Sequence, residues 1–221
     1  MDWQAVWVTL KLAALTTLVL AVLGLPLAWW LANTRWRGRA LVEAVVALPL
    51  VLPPTVLGFY LLMAASPRFA PGHAVEQLTG ATLAFSFEGI LLASVICNVP
   101  FAVRPFAAAL EAVDRHLIEA SWCLGVSKLR TFWRVALPLA WPGVLTGLVL
   151  TFMHTVGEFG VVLMVGGNIP GVTRTLALAI YDDVQALDYS SANRTALVLL
   201  ALATISLAVT YTIAQRRPAR T

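Results

Sequence analysis

Two ionisable side chains lie one helical turn apart in a long apolar stretch of the sequence. His154 and Glu158 are four residues apart within residues 139–165, and this spacing places both on one face of a helix. An imidazole beside a carboxylate could form an ion pair, relay a proton or supply two metal ligands. Two ligands are too few to predict a metal site. Because ionisable groups in apolar segments are costly unless paired, we predict a structural Glu158, paired with His154, Arg104 or backbone groups.

Motifs for enzymatic or redox chemistry are missing from the sequence. It contains no HExxH, no GxSxG and no convergent pair of acids within an apolar segment. Haem ligation normally requires histidines on several spans, and only His154 lies in one. The phosphate-binding pattern GxxxxGK[ST] is also absent. We therefore predict a chain that is not an enzyme and carries no cofactor, with an intramembrane enzyme or a redox-complex subunit as the remote alternatives.

The composition predicts an integral membrane protein. Of the 221 residues, 60% are apolar and 12% charged, whereas soluble domains average about 45–50% apolar and about 25% charged. A chain of this length would expose the surplus to water, so we expect lipid to cover much of a single all-α domain spanning residues 1–221. Cys97 and Cys123 lie in an apolar run and a basic loop, which predicts two unpaired thiols.

Five stretches of sequence are long enough to cross a bilayer as helices. A hydrocarbon core about 30 Å thick requires about 20 apolar residues, and the qualifying segments are residues 12–32, 41–65, 89–110, 139–165 and 192–213. Prolines fall in or near the second and third segments, at positions 49, 53, 54, 100 and 105. Broken helices are tolerated where protein or a water-filled cavity covers the freed backbone groups. The prolines therefore favour a gated pathway, and ordinary kinking is the alternative.

The basic residues are distributed unevenly between the predicted spans. If the second and fourth spans run outward, eleven of the fifteen lie at the inner side: Arg35, Arg37, Arg39, Arg104, Arg115, Lys128, Arg130, Arg134, Arg216, Arg217 and Arg220. The positive-inside rule then places the N-terminus outside and the C-terminus in the cytoplasm of a multi-pass protein of the cell inner membrane. Since the charges sit in short segments between spans, we predict no nucleic-acid binding despite a pI near 9.5.

The predicted inner loop at residues 111–138 has a helical pattern of its own, and its residues 119–138 read EASWCLGVSKLRTFWRVALP. Its apolar residues recur at helical spacing on both sides of Gly125; they are Val113, Leu117, Ala120, Leu124, Val126, Leu129 and Trp133. We predict a helix, a glycine turn and a second helix that stops at Leu137, because the residue before a proline is disfavoured in the α region. On these grounds alone, the basic loop could equally lie on anionic lipid.

The amino-acid sequence of this loop resembles that of the EAA loop of ABC importer permeases, which docks into the ATPase subunit. In that family Glu-Ala-Ala is followed by three residues, Gly, nine residues and an Ile-x-Leu-Pro ending. The matching positions here are Glu119, Ala120, Ser121, Gly125, Val135, Leu137 and Pro138. Ser121 and Val135 are small or isosteric replacements for the family's residues. The resemblance implies that residues 119–131 form the coupling helix, with Gly125 allowing close backbone approach.

The resemblance also implies which partners the chain needs. Permeases of this class act in pairs around one pathway, so it implies a second copy of the chain. It further implies a pair of ABC ATPase subunits, which would bind the ATP and Mg, and an extracytoplasmic oxyanion-binding protein. The missing phosphate-binding pattern agrees with an ATPase on a separate chain.

Three further stretches narrow the family, at residues 48–62, 157–160 and 168–175. They resemble the second span, the fourth span and the following loop of molybdate permeases, and the likeness extends over about residues 3–217. It implies import of a tetrahedral oxyanion, molybdate first, with tungstate, sulfate and thiosulfate as alternatives. Such dianions favour hydroxyls, amides and N–H groups. The candidate pathway residues are Thr55, Asn98, Thr151 and Thr155, each of which could instead serve helix packing.

Overall fold

The computed structural model describes residues 2–215, and for Thr79, Tyr211 and 213–215 it describes the backbone alone. The regular elements in this part of the chain are helices. They are α1 (Trp3–Asn33), α2 (Arg39–Val51), α3 (Pro54–Ala65), α4 (Ala70–Thr79), α5 (Phe87–Glu111), α6 (Arg115–Cys123), α7 (Lys128–Thr131), a π-helical turn (Phe132–Ala136), α8 (Leu137–Gly157), α9 (Gly160–Gly166), α10 (Leu176–Gln185) and α11 (Tyr189–Gln215). The predicted all-α class is confirmed.

Four helical segments within residues 2–215 are long and apolar enough to cross a membrane: Trp3–Asn33, Phe87–Glu111, Lys128–Gly157 and Tyr189–Thr210. The pair α2 and α3 makes a fifth candidate span if it is counted as one, although its halves are bent by 108°. The sequence prediction of five spans therefore agrees with the structure. Helix α1 starts nine residues before the predicted span because the Asp2 carboxylate caps it, accepting from the N–H groups of Gln4 and Ala5.

The core of the bundle lies where α1, α5 and α8 meet. Phe106 of α5 is fully buried there and belongs to one apolar cluster with Ala28 and Val144. Gly147 of α8 lies against the Phe106 ring, and a Cβ at this glycine would stand 2.7 Å from the ring. The small residue therefore lets α5 and α8 approach closely, a common device in membrane helix packing.

The second predicted span is interrupted between α2 and α3 by two successive prolines. Leu52 and Pro53 each precede a proline, and both have extended backbone, with ψ values of 135° and 136°. Pro54 then occupies the first turn of α3, where its missing N–H costs nothing. The predicted proline break is therefore present as a sharp bend.

The predicted helix stop at Leu137 is wrong. Leu137 keeps helical dihedral angles, φ −62° and ψ −45°, and the chain stays helical into α8. The π-helical turn Phe132–Ala136 precedes Pro138 and carries a wide hydrogen bond from the Leu137 N–H to the Phe132 carbonyl. A single proline after such a turn is accommodated within a continuous helix, whereas the two successive prolines at 53–54 interrupt the helix.

The fourth predicted span, residues 139–165, also needs correction. Helix α8 ends at Gly157, Glu158 has an extended backbone with ψ 123°, and α9 begins as a separate helix at Gly160. The Glu158 carboxylate accepts a hydrogen bond from the Val161 N–H, so this side chain caps a new helix instead of continuing the old one. The apolar run continues through the break, which is why composition alone does not reveal it.

Side-chain contacts show which helix ends share a face of the bundle. Arg39 at the start of α2 contacts Glu111 at the end of α5, so these ends lie on the face that carries α6 and α7, here called the coupling face. On the opposite face, the Thr9 hydroxyl of α1 accepts from the N–H of Leu176 at the start of α10. The membrane orientation of these faces stays a prediction. Three of the arginines on which that prediction rests, Arg216, Arg217 and Arg220, lie outside the described residues.

Candidate functional site

The loop on the coupling face folds as helix, turn and helix, as its sequence predicts. The Asp114 side chain caps α6. At the other end of α6, Gly125 has φ +75°, and the Val126 N–H donates to the Ser121 carbonyl. This is a Schellman ending, which favours glycine because its φ is positive. Ser127 then caps α7.

A buried hydroxyl pair holds α6 and α7 together. The Ser121 and Thr131 hydroxyl oxygens are 2.9 Å apart, and both side chains are buried. Ile118 of α6 and Phe132 of the π-helical turn join the main apolar cluster. The loop therefore sits on the bundle through a few fixed contacts, which suits an element that transmits movement.

Most of the apolar stripe predicted for this loop faces outward. Leu124 is 83% exposed and Leu129 is 69% exposed, and Ala120 is exposed as well. Leu117, Leu124 and Val126 line a surface cavity of about 400 Å³ whose rim carries Arg130 and Arg134. An exposed apolar patch with a charged rim is typical of a protein-binding surface.

The remaining coupling residues predicted from the sequence lie around this surface. Glu119 is exposed and pairs with Arg115 at 2.9 Å. Val135 and Leu137 are partly buried, while Pro138 is exposed. A Cβ at Gly125 would meet no described atom within 4 Å. Within the chain this glycine is therefore explained by its positive φ, and close backbone approach at Gly125 remains an expectation about a partner.

A second polar cluster lies between α5 and the end of α8. The His154 Nδ1 is 3.0 Å from the Asn98 Oδ1 and 3.7 Å from the Glu158 Oε2. The His154 ring stacks on Phe101, with ring centroids 3.8 Å apart. The structure thus brings together three residues that the sequence named, although it had assigned Asn98 to the pathway and the other two to an ion pair.

Glu158 is almost completely buried and each of its oxygens has a partner. Oε1 accepts from the Val161 N–H at 3.2 Å, and Oε2 accepts from the Cys97 thiol at 3.5 Å. The predicted pairing with Arg104 is wrong. Arg104 lies six residues further along α5 than Asn98, in a cavity lined also by Arg39 and Glu111 at the coupling face.

A surface cavity of about 610 Å³ opens beside this cluster. It is lined by Thr55 at the start of α3, by His154 and Gly157 of α8, and by Glu158 and Gly160 at the break. Thr55, which the sequence proposed as a pathway residue, therefore lines a cavity, and its role in transport stays a prediction. Thr151 and Thr155 do not line the cavity, because both are fully buried. Their hydroxyls donate to the carbonyls of Gly147 and Thr151 at 2.8 Å, as expected for packing residues.

Sequence reasoning missed two members of the cluster, Cys97 and Phe101. Ser94, Asn98 and Phe101 recur at spacings of four and three along α5, which places them on one helix face. This periodic face was the available signal. The partners across the cavity could not be found in this way, because they come from a helix more than 50 residues later.

Comparison with known proteins agrees with this architecture. Residues 24–220 match the family described as "Binding-protein-dependent transport system inner membrane component". The molybdenum transport system permease protein ModB of Azotobacter vinelandii is 50% identical over 87% of this chain and 85% of the relative. The ModB protein of Escherichia coli K12 is 39% identical over 97% and 94%. A probable sulfate transport system permease protein of Chlorokybus atmophyticus is 35% identical over 88% of this chain and 68% of the relative.

Among solved structures, a chain of the MetNI methionine ABC transporter in inward-facing conformations matches with a TM-score of 0.76. The match covers 98% of this chain and 95% of that chain at 20% identity, so it shows the fold alone. The relatives are named as permease subunits, which agrees with the prediction of a multi-pass transport subunit that is not itself an enzyme. The chain belongs to the family of binding-protein-dependent transport system inner membrane components.

Proposed function

We propose that this chain is the membrane-spanning permease of an ATP-driven importer for molybdate. The observation that carries the proposal is the identity of 50% and 39% to two molybdenum permeases, in each case over at least 85% of both chains. Tungstate is a tetrahedral dianion of the same shape and charge, so the same route would accept it. ATP and Mg would be bound by a separate ATPase subunit.

The coupling face supports a partner that hydrolyses ATP. The apolar cavity between Leu117 and Leu124, with Arg130 and Arg134 at its rim, offers a groove for an ATPase subunit. The contact between Ser121 and Thr131 keeps α6 and α7 together. A movement of the loop is therefore transmitted to α8 through the continuous helix that starts at Lys128. A pair of ATPases on two copies of the chain would then move both halves together.

The cavity beside His154 supports a pathway between two copies. It is open on one side and is lined by the half-helix α3 and by the break between α8 and α9. Broken helices near a cavity are typical of substrate sites in transporters. A second copy of the chain would close the open side, and an extracytoplasmic binding protein would deliver the anion from the face opposite the coupling face.

Sulfate is the second candidate substrate, because a probable sulfate permease is 35% identical to the chain. The test is uptake of labelled molybdate by cells that carry the chain with its ATPase and binding protein. We expect a large excess of sulfate to leave molybdate uptake nearly unchanged, whereas unlabelled tungstate competes. Equal competition by sulfate would overturn molybdate as the substrate and leave the permease assignment standing.

The proposed orientation is tested separately with reporters. A reporter inserted near His73, in the exposed helix α4, is expected outside, and one fused to the C-terminus is expected in the cytoplasm. Reversed reporters would overturn the placement of the ATPase and the binding protein on the two faces.

A further inference from the structure

The hydrogen bonds around Asn98 determine which nitrogen of His154 carries a proton. The fully buried Asn98 amide donates from its Nδ2 to the Ser94 carbonyl at 2.8 Å. Its Oδ1 therefore points to His154 and can only accept, so the His154 Nδ1 at 3.0 Å is the donor. The neutral imidazole then has its proton on Nδ1 and a bare lone pair on Nε2.

The other nitrogen of His154 is the one left for a ligand. The ring is fixed by stacking on Phe101 and by the Asn98 contact. Among the described residues, Nε2 has no hydrogen-bond partner. It is also absent from the set of buried polar atoms that lack a partner, so it is not buried. His154 lines the 610 Å³ cavity together with Thr55 and Gly157. This nitrogen is therefore accessible at the cavity wall.

The two protonation states of such a histidine treat an oxyanion in opposite ways. In the neutral state, the Nε2 lone pair faces the oxyanion's own lone pairs and repels it. In the protonated state, Nε2 gains an N–H and becomes a charge-assisted donor to an oxyanion. Because Asn98 holds the proton on Nδ1, the neutral ring cannot become a donor at Nε2 by exchanging tautomers.

The charges around His154 reinforce this difference. Glu158 is the acid that faces the ring, with Oε2 3.7 Å from Nδ1. From α5 the cluster receives the Cys97 thiol and the Phe101 ring, and from α3 the Thr55 hydroxyl lines the same cavity. With Glu158 ionised, protonation of His154 changes the cluster from net negative to neutral, which removes the repulsion of an approaching dianion.

We propose that His154 is a proton-dependent contact for the oxyanion in the transport pathway, acting through Nε2. This deepens the proposed function and rests on it. Anion passage is then favoured when His154 is protonated, so uptake rises as the pH falls. The residue confers sensitivity to protons, whereas the hydroxyl of Thr55 would contact the anion at any pH.

The first test compares the pH profiles of uptake in proteoliposomes that contain the chain, its ATPase and its binding protein. Uptake per ATP hydrolysed is expected to rise by about tenfold from about pH 8 to about pH 6 in the unmodified protein. His154→Gln is expected to flatten the profile, while the matched variant His73→Gln, in the exposed helix α4, keeps it. A His154→Gln protein with the original profile would overturn the proposal, whereas absence of uptake at every pH in the unmodified protein would contradict the proposed function.

A second measurement needs no substitution and therefore does not depend on folding of a variant. Diethyl pyrocarbonate modifies accessible imidazole nitrogens, and mass spectrometry locates the modified residue. Molybdate is expected to slow modification of His154 severalfold at about pH 6 and to leave it unchanged at about pH 8. Molybdate is expected to leave the modification rates of His73 and His116, both exposed, unchanged at either pH. Molybdate without effect on His154 at either pH would overturn the proposal.

Discussion

The Arg39 guanidinium lies 2.5 Å from the Glu111 carboxylate, across 72 residues of sequence. Arg39 begins α2 and also contacts Glu43 at 2.6 Å, while Glu111 ends α5, immediately before the loop on the coupling face. Helix α2 has a single buried residue, Val46. The ion pair therefore joins the start of α2 to the end of α5, next to the loop on the coupling face.

We expect this ion pair to contribute to coupling between ATP hydrolysis and transport. Arg39→Gln and Glu111→Gln should each lower uptake per ATP, and the double variant should be no worse than either single one. Since both side chains are more than a third exposed, the coupling energy should be small, about 0.2–1 kcal/mol. Arg37→Gln, at an exposed neighbouring arginine, is the control. Additive losses in the double variant would contradict the link.

Gly125 is expected to be required for its backbone conformation. A side chain at φ +75° costs about 1–2 kcal/mol, so Gly125→Val should distort the turn and weaken binding of the ATPase in a pull-down. Gly80 provides a matched control, since it has φ +71° and equally open surroundings at the end of α4. Gly80→Val should strain its turn similarly and leave ATPase binding intact. Equal ATPase binding by the two variants would contradict a role of the Gly125 turn in binding the ATPase.

Two threonines distinguish the cavity wall from the helix interior. Thr55→Val removes a hydroxyl that lines the cavity, and we expect it to lower molybdate flux by about fivefold, the equivalent of one hydrogen bond. Thr151→Val is nearly isosteric and removes a hydroxyl that only donates to the Gly147 carbonyl of its own helix. Its flux should stay close to that of the unmodified protein. If Thr151→Val lowered molybdate flux more than Thr55→Val, the pathway would lie on the other side of α8.

Glu158 is expected to affect assembly more than anion preference. Glu158→Ala removes the acceptor for the Val161 N–H and for the Cys97 thiol, which should cost about 1–3 kcal/mol by leaving buried donors unpaired. Less assembled complex should be recovered, and the ratio of molybdate to sulfate uptake per complex should not change. A changed ratio with normal assembly would make Glu158 a selectivity residue instead.

Much of the fold could be predicted because membrane spans follow from length and apolarity. The limits of α5 agree with the predicted span within two residues, since Ser86 caps the helix at its start. The break after Gly157 could not be predicted in this way, because apolar residues continue through it and the deciding contact is a carboxylate on a backbone N–H. The helical continuity through Pro138 depends on the preceding π-helical turn, which leaves no mark on hydropathy.

The candidate site was partly predictable for a similar reason. Spacing within one helix identified His154 with Glu158, and the two lie 3.7 Å apart. It could not identify Asn98 as the partner of His154, because that contact joins residues 56 positions apart. Arg104 was one of three alternative partners predicted for Glu158, and in the structure it lines a cavity with Arg39 instead.

The most direct test of the account is reconstituted transport. Proteoliposomes that contain this chain and its ATPase should accumulate labelled molybdate when ATP is supplied on the side of the membrane that carries the ATPase and the loaded binding protein is on the opposite side. Omission of ATP, of the ATPase or of the binding protein should each abolish accumulation. The chain alone should hydrolyse no ATP. Accumulation of molybdate by the chain without its ATPase would contradict an ATP-driven permease.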